Sequence, residues 1–159
     1  MSSGSQLRFD TDDVATDDRR DTLLLYCDGG ARGNPGPAAI GAVVLDPSTS
    51  PPTRLATVSR RIGVATNNVA EYEALIAGLE AARDFPAREI RVRADSQLLI
   101  RQLEGRYKVK HAGLRPLFDR ARALLAPYER VDLQHVPREQ NTDADALVNA
   151  ALDLPPGEV

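Results

Sequence analysis

The spacing of apolar residues changes near residue 68 of this chain, and that change limits the possible folds more than any other feature. Three short apolar segments (residues 23–27, 38–45 and 54–62) are separated by turns rich in Gly and Pro. They predict three strands joined as hairpins. From residue 68 to about 84, apolar residues recur every three to four positions, which indicates an amphipathic helix. The first part of the chain is therefore an antiparallel meander, and helices follow it.

The remaining pattern alternates strands with helices. Helices are predicted at residues 68–84, 96–104, 114–125 and 142–152, and strands at 89–94 and 130–136. The order βββαβααβα is typical of an α/β protein with one five-stranded mixed sheet and helices packed on it. Strands separated by a helix pair in parallel through right-handed crossovers.

Length and composition narrow the class of protein. A chain of 159 residues fits one domain. Its single cysteine, Cys27, excludes a disulfide framework and a thiolate metal site. No apolar run reaches the ~20 residues of a membrane helix, and no signal segment is visible, so we expect a cytoplasmic protein with no membrane partner. We expect a flexible acidic tail at residues 1–22, a folded domain at 23–152 and a short tail at 153–159.

Charge is distributed unevenly. The net charge of −3 is that of residues 1–22 alone, and the rest of the chain is neutral. Residues 101–122 carry seven basic and two acidic side chains. Such a segment is a solvated helix face in many proteins, but it also suits phosphate binding, because the local field governs contact with a polyanion.

Four carboxylates occupy equivalent places, at the ends of strands or the starts of helices. Asp28 and Asp95 each end a predicted strand, and Glu71 and Asp145 each lie in the first turn of a helix. Each has an ordinary structural explanation. Glu71 and Asp145 fit capping boxes, Asp95 fits a helix cap, and Asp28 before two glycines fits a turn.

Glu71 is the hardest of the four to explain as a cap. On a helix it shares a face with Leu75, Gly78 and Ala82, and this face points inward. A carboxylate there loses hydration at a cost of several kcal/mol unless it is compensated. If the first and fourth strands are neighbours, Asp28 and Asp95 lie side by side. Four converging acids would repel one another, and divalent cations with oxygen ligands, such as Mg²⁺, would neutralise them.

Four motifs in series resemble those of type 1 ribonuclease H. They are Asp-Gly-Gly-Ala-Arg-Gly-Asn-Pro-Gly at residues 28–36, Thr-Asn-Asn-Val-Ala-Glu-Tyr at 66–72, Ala-Asp-Ser-Gln at 94–97 and Arg-Glu-Gln-Asn-Thr-Asp-Ala-Asp at 138–145. The resemblance covers residues 23–152. It implies an RNase H-like fold and metal-dependent endonucleolytic cleavage of the RNA strand of RNA–DNA hybrids.

The resemblance also implies roles for individual residues. It makes Asp28, Glu71, Asp95 and Asp145 the metal-binding and catalytic acids, with two Mg²⁺ ions, for which Mn²⁺ substitutes. It assigns substrate contacts to Gly29, Asn34, Asn67, Asn68 and Gln97. The amide side chains among these residues would contact the minor groove of the hybrid.

Two departures from the family pattern bear on the site. His135 alternates with Val131 and Leu133, so we expect it on the apolar face of its strand and not in a catalytic role. We expect Arg138, in the loop after this strand, to be the group that helps the product phosphate leave. The connection between Gly105 and Gly113 is too short for the basic handle of some members. Three residues are therefore expected to contact the DNA strand: Arg106, Lys108 and Lys110.

The implied mechanism is a two-metal hydrolysis that leaves 5′-phosphate and 3′-hydroxyl ends. One ion, held by Asp28 and Asp145, would activate water; the other, held by Asp28, Glu71 and Asp95, would stabilise the leaving oxygen. We expect a monomer without an organic cofactor. The alternatives are a nuclease of another specificity, such as an exonuclease or one that cuts double-stranded RNA, and an inactive hybrid-binding module.

Overall fold

A five-stranded sheet with helices on both faces forms the part of the protein that the structure describes. The computed structural model describes residues 18–155. Its elements, in chain order, are β1 Arg20–Ala31, β2 Gly36–Asp46, β3 Thr53–Ala65, α1 Asn67–Ala82, β4 Ala87–Ala94, α2 Gln97–Leu103, α3 Arg115–Leu125, β5 Arg130–His135 and α4 Thr142–Asp153. The predicted α/β class and element order are confirmed. A short 3₁₀ turn, Arg138–Gln140, precedes α4.

The strand order, β3-β2-β1-β4-β5, places the opening meander beside the parallel strands. β1 pairs antiparallel with β2 and parallel with β4. In the second pairing Cys27 lies opposite Ala94, so Asp28 and Asp95 follow at the same edge of the sheet. The sequence predicts that Asp28 and Asp95 lie side by side if the first and fourth strands are neighbours, and the sheet order shows that these strands are neighbours.

Two helices lie very close to the sheet, one on each face. A Cβ atom at Gly29 would lie 2.1 Å from the carbonyl oxygen of Ala70 in α1. A Cβ atom at Gly41 would lie 2.3 Å from the carbonyl oxygen of Ala144 in α4. The helices therefore approach β1 and β2 at a distance that only glycine allows. This close approach brings the N-terminal halves of α1 and α4 to the edge that carries Asp28.

The main hydrophobic core lies between the sheet and α1. The predicted inward stripe of α1 is present: Leu75 and Ala82 are fully buried, and a Cβ atom at Gly78 would lie 2.7 Å from Leu25 Cδ1. A smaller cluster on the other face joins Ala39 to Val148 and Ala151. Burial of these side chains, at ~25 cal/mol per Å² of apolar surface, fixes both helices on the sheet.

The folded region starts slightly earlier than the sequence predicts. β1 begins at Arg20 rather than at Leu23, because polar side chains pair across strands: Arg20 Nε lies 3.0 Å from Asp46, and Thr22 Oγ1 lies 3.0 Å from Glu89. Residues 1–17 and 156–159, which make up most of the predicted tails, lie outside the described residues. Among residues 18–155, no helix is both long and apolar enough to cross a membrane.

Candidate active site

Three carboxylates from separate elements meet at one edge of the sheet. Asp28 is in β1, Asp95 follows β4 and Glu71 lies in the second turn of α1. One oxygen of each lies within 4.8 Å of the others, and Asp28 is only 5% exposed. Asp145 of α4 lies near enough to Asp28 to contribute to the rise in the pKa of Asp28. All four acids therefore share one site.

The helix caps are other residues, which removes the ordinary explanation of the acids. Thr66 caps α1 and accepts from the amide of Val69, and Ser96 caps α2 and accepts from the amide of Leu99. Asn141 holds the cap position of α4 without a side-chain cap bond. Asp28 lies within a strand that continues to Ala31, so it is not a turn residue. The capping and turn alternatives are therefore wrong for these residues.

Three hydrogen-bond or ion-pair contacts hold the site in place. The backbone amide of Gly29 donates to Glu71 Oε1 at 2.8 Å, which turns this carboxylate toward β1. Buried Asn141 donates from Nδ2 to the carbonyl of Cys27 at 2.9 Å, which ties the start of α4 to the residue before Asp28. Arg138 Nε lies 3.7 Å from Asp95 and is 79% exposed. These contacts link β1, α1, α4 and the 3₁₀ turn around the acids.

The electrostatics of the site are those of an acidic cluster that is only partly compensated. Burial, followed by repulsion from Glu71 and Asp95, raises the pKa of Asp28 to about 9. Burial also raises the pKa of Glu71 to about 8, although the Gly29 amide and Arg138 oppose the rise. Burial, aided by the neighbouring acids, raises the pKa of the Cys27 thiol well above its usual value. Raised carboxylate pKa values mean that the acids hold protons until a cation replaces them.

The donor set fits a hard divalent cation. Asp28, Glu71 and Asp95 offer carboxylate oxygens only, at mutual distances that a single ion can bridge. Asp145 adds a fourth carboxylate beside Asp28. The Cys27 thiol has a raised pKa and stays protonated, so it offers no competing thiolate. Mg²⁺ or Mn²⁺ suits these residues better than a metal that prefers sulfur or nitrogen.

Three of the amide residues predicted to contact substrate, Asn34, Asn67 and Asn68, lie together where the loop after β1 meets the start of α1. Asn34 Oδ1 accepts from the backbone amide of Asn67 at 3.1 Å, and Asn67 Oδ1 accepts from the amide of Ala31 at 2.9 Å. These two bonds hold the loop after β1 against the start of α1. Asn34 and Asn68 line a groove of about 400 Å³. Gln97 is exposed at the first position of α2.

The predicted basic and backbone contacts divide into two groups. Lys108 and Lys110 line the same groove as Asn34 and Asn68, whereas Arg106 is exposed outside it and lies 3.5 Å from Glu104. Gly29 is buried beneath α1, where its amide serves Glu71. The structure thus brings the two lysines to the amides and gives Gly29 a packing role.

Two site residues differ from what the sequence suggests. His135 alternates with Val131 and Leu133 in β5, but it is exposed, because β5 is an edge strand whose Val131 is itself 39% exposed. Asn141 received no role from the sequence, although it is 1% exposed and bonded to β1. Its position directly before Thr142 was the only available signal, and an asparagine there reads as an ordinary cap.

Comparisons with known proteins agree on the class that this fold and acidic site define. A family model described as reverse transcriptase-like matches residues 26–151. Ribonuclease HI of Halobacterium salinarum is 46% identical over 140 residues, which cover 88% of this chain and 69% of that protein. The protein is thus of the RNase H-like class. Within that class, the chain belongs to the ribonuclease HI family, the type 1 ribonucleases H.

Solved structures give the same result. The N-terminal RNase H domain of Rv2228c from Mycobacterium tuberculosis superposes with a TM-score of 0.79 at 48% identity, covering 83% of this chain and 99% of that one. LC11-RNase H1, solved in complex with an RNA/DNA hybrid, superposes with a TM-score of 0.75 at 43% identity, covering 82% of this chain and 96% of that one. The chain spans 35% of the length of the full mycobacterial protein, the bifunctional protein Rv2228c.

Proposed function

We propose that this protein is an endoribonuclease that hydrolyses the RNA strand of RNA–DNA hybrids with Mg²⁺ or Mn²⁺, leaving 5′-phosphate and 3′-hydroxyl ends. The observation that carries the proposal is the meeting of four carboxylates, two with strongly raised pKa values, beside a groove lined by amides and lysines. A binding module gains nothing from buried negative charge that faces a phosphate backbone. The 43% identity to LC11-RNase H1, solved with a hybrid, supports this substrate.

In this proposal the four acids hold two cations. Asp28 is central, since it contacts both the Glu71–Asp95 pair and Asp145, and would share in both cation sites. When bound, the cations supply a water nucleophile at neutral pH and stabilise the charge that develops on the leaving oxygen. Gly29 orients Glu71, and Asn141 keeps the start of α4 in place. Arg138, exposed beside Asp95, is placed to attract the product phosphate.

The groove beside the acids is the proposed hybrid-binding surface. Asn34, Asn68 and Gln97 present amides that suit the shallow minor groove of a hybrid, where 2′-hydroxyls distinguish RNA from DNA. Lys108 and Lys110, with Arg106 nearby, are the proposed contacts with phosphates of the DNA strand. Asn67 contributes by holding Asn34. We further propose that the catalytic domain acts as a cytoplasmic monomer without an organic cofactor.

The deciding experiment compares cleavage of labelled hybrid, double-stranded RNA and double-stranded DNA with Mg²⁺, with Mn²⁺ and with EDTA. We expect cleavage of hybrid only, in the RNA strand, and only with metal. A covalently closed hybrid separates the alternatives, because an exonuclease leaves it intact. Binding of hybrid without cleavage under any metal condition would establish the inactive module instead.

A variant pair tests the assignment of the acids. Asp28→Asn removes a charge at the centre of the site and should lower turnover on the order of 10³-fold or more while hybrid binding persists. Asp119→Asn makes the same change on an exposed residue of α3 that forms an ion pair with Arg115, one turn earlier in the helix. This variant should leave turnover unchanged. Turnover near wild type in Asp28→Asn would refute the assignment.

A further inference from the structure

A buried polar pair links α1 to α2. Tyr72, the residue after Glu71, is 1% exposed, and Gln102 is 4% exposed. The Tyr72 hydroxyl donates to Gln102 Oε1 at 2.6 Å. Two polar side chains buried this deeply persist only when their hydrogen bonds are satisfied.

The second bond of Gln102 reaches the basic segment. Its Nε2 donates to the backbone carbonyl of Lys108 at 3.3 Å. This carbonyl accepts but cannot donate, so the amide nitrogen must face it and Oε1 must face Tyr72. The chain of bonds from Tyr72 through Gln102 to Lys108 therefore has one possible direction. A carboxylate in place of the amide would put an oxygen against the carbonyl oxygen.

We define the basic segment as residues 106–110, and few contacts hold it. The amides of Arg106 and Tyr107 both donate to the carbonyl of Arg101 at the end of α2, and Val109 packs partly against the core. Beyond these contacts, no side-chain hydrogen bond other than that of Gln102 reaches the backbone of the basic segment from the part of the chain that the structure describes. Lys108 and Lys110, on either side of Val109, line the groove.

We propose that Gln102 is a positioning residue that holds the basic segment at a fixed offset from the acidic site, so that its lysines meet the hybrid in register with the acids. This inference rests on the proposed function. Tyr72 is adjacent to Glu71 along α1, so the same helix positions a catalytic acid and, through Gln102, the lysines that bind backbone phosphates. Holding these groups rigid before substrate arrives reduces the ordering that binding must impose.

Loss of the Gln102 bonds should therefore affect binding and not chemistry. The basic segment would keep its charges but sample other positions, so KM should rise while kcat at saturation stays close to wild type. The number of phosphates engaged together should also fall. Because each phosphate contact contributes to the dependence of binding on salt, the slope of log(kcat/KM) against log salt should become shallower by about one.

The test measures steady-state hybrid cleavage by Gln102→Glu at several KCl concentrations, well below its melting temperature. We expect KM to rise about fivefold to tenfold, kcat to change less than twofold and the salt slope to become shallower. Gln134→Glu, which makes the same change at an exposed position of β5, should leave KM and slope unchanged. In a chain that already carries Lys108→Met and Lys110→Met, Gln102→Glu should add little to KM.

A second variant keeps the test decisive if Gln102→Glu does not fold. Tyr72→Phe removes only the hydroxyl and leaves Gln102 Oε1 without its donor while the bond from Nε2 to Lys108 remains, so it should raise KM in the same direction by a smaller factor. Unchanged KM and salt slope in a folded variant would overturn the positioning role, as would an equal fall of kcat with no change in KM. Wild-type protein that cleaves no hybrid would instead refute the proposed function, so the two failures are distinguishable.

Discussion

The carboxylate of Glu71 accepts a hydrogen bond of 2.8 Å from the amide of Gly29, the residue that follows Asp28 in β1. This bond joins the helix that carries one acid to the strand that carries another. It forms because Gly29 lacks a side chain, so that the backbone of α1 passes directly over it. The geometry of the acidic site therefore depends on a position that carries no charge.

Replacing Gly29 with alanine should destabilise the protein strongly. The new Cβ atom would lie 2.1 Å from the carbonyl oxygen of Ala70, and helical backbone there has little freedom to move. We expect a loss of roughly 3 kcal/mol or more in the free energy of unfolding, measured with urea. Gly30→Ala is the matched control, because its Cβ would meet Val148 Cγ1 at 4.0 Å, an ordinary contact. Equal stability of the two variants would contradict the close approach.

The metal-free protein should become less stable as pH rises. The pKa of Asp28 is raised from its ordinary 3.8 to about 9, so the folded state keeps a proton that the unfolded chain has already lost. Stability linked to this group is thus complete below pH ~4 and is lost as pH rises toward 9. In EDTA at pH 8, Asp28→Asn should exceed wild type by at least about 1 kcal/mol, or about 2–4 °C in Tm. A lower Tm for Asp28→Asn than for wild type would argue against the raised pKa.

Binding of Mg²⁺ should release protons. Because the pKa values of Asp28 and Glu71 are raised to about 9 and about 8, these acids hold protons at neutral pH that a cation must displace. Calorimetry at pH 7 in buffers of different ionisation enthalpy should show release of about one proton or more, and the apparent affinity should increase between pH 6 and 8. Binding that is independent of pH would show that the acids are already ionised.

Arg138→Ala should slow product release without weakening the fold. The side chain is 79% exposed and lies 3.7 Å from Asp95, and such pairs contribute little to stability, so we expect a change within about 0.5 kcal/mol. Steady-state turnover should fall roughly 10-fold or more, whereas single-turnover cleavage should change little. Arg138→Lys, which retains the charge, should recover part of the turnover. An equal loss in both assays would assign Arg138 to the cleavage step instead.

Asn141→Ala should uncouple α4 from β1. It removes the buried 2.9 Å bond to the carbonyl of Cys27, at a cost of roughly 1–3 kcal/mol in the free energy of unfolding. Since α4 carries Asp145, turnover should fall more than stability alone explains, and higher Mg²⁺ should restore part of it. Gln140→Ala, at the exposed neighbouring position, is the control for both measurements. If Asn141→Ala keeps the Mg²⁺ dependence of the wild type, Asn141 does not position Asp145.

Local pattern was sufficient to predict the elements. The change from period two to period 3.6, together with the Gly and Pro positions, predicted the nine strands and α-helices of residues 18–155 to within a few residues. These features depend on contacts between near neighbours in sequence, which is why they are visible without the fold. The inward face of α1, with Gly78 against Leu25, followed from the same periodicity. The sequence also nominated the four acids, because each stands at the end of an element.

Tertiary structure alone decided what those acids are for. In sequence, Glu71 and Asp95 fit caps as well as ligands, and only the folded chain shows that Thr66 and Ser96 do the capping. The burial of Asn141 and the path from Tyr72 through Gln102 to Lys108 join residues far apart in the chain, so no local pattern predicts them. Whether a strand lies at the edge or in the centre is also a property of the whole sheet, and His135 is exposed because β5 is an edge strand. Periodicity specifies which face of an element is buried, but the partner that covers it is set by the assembly of the whole chain.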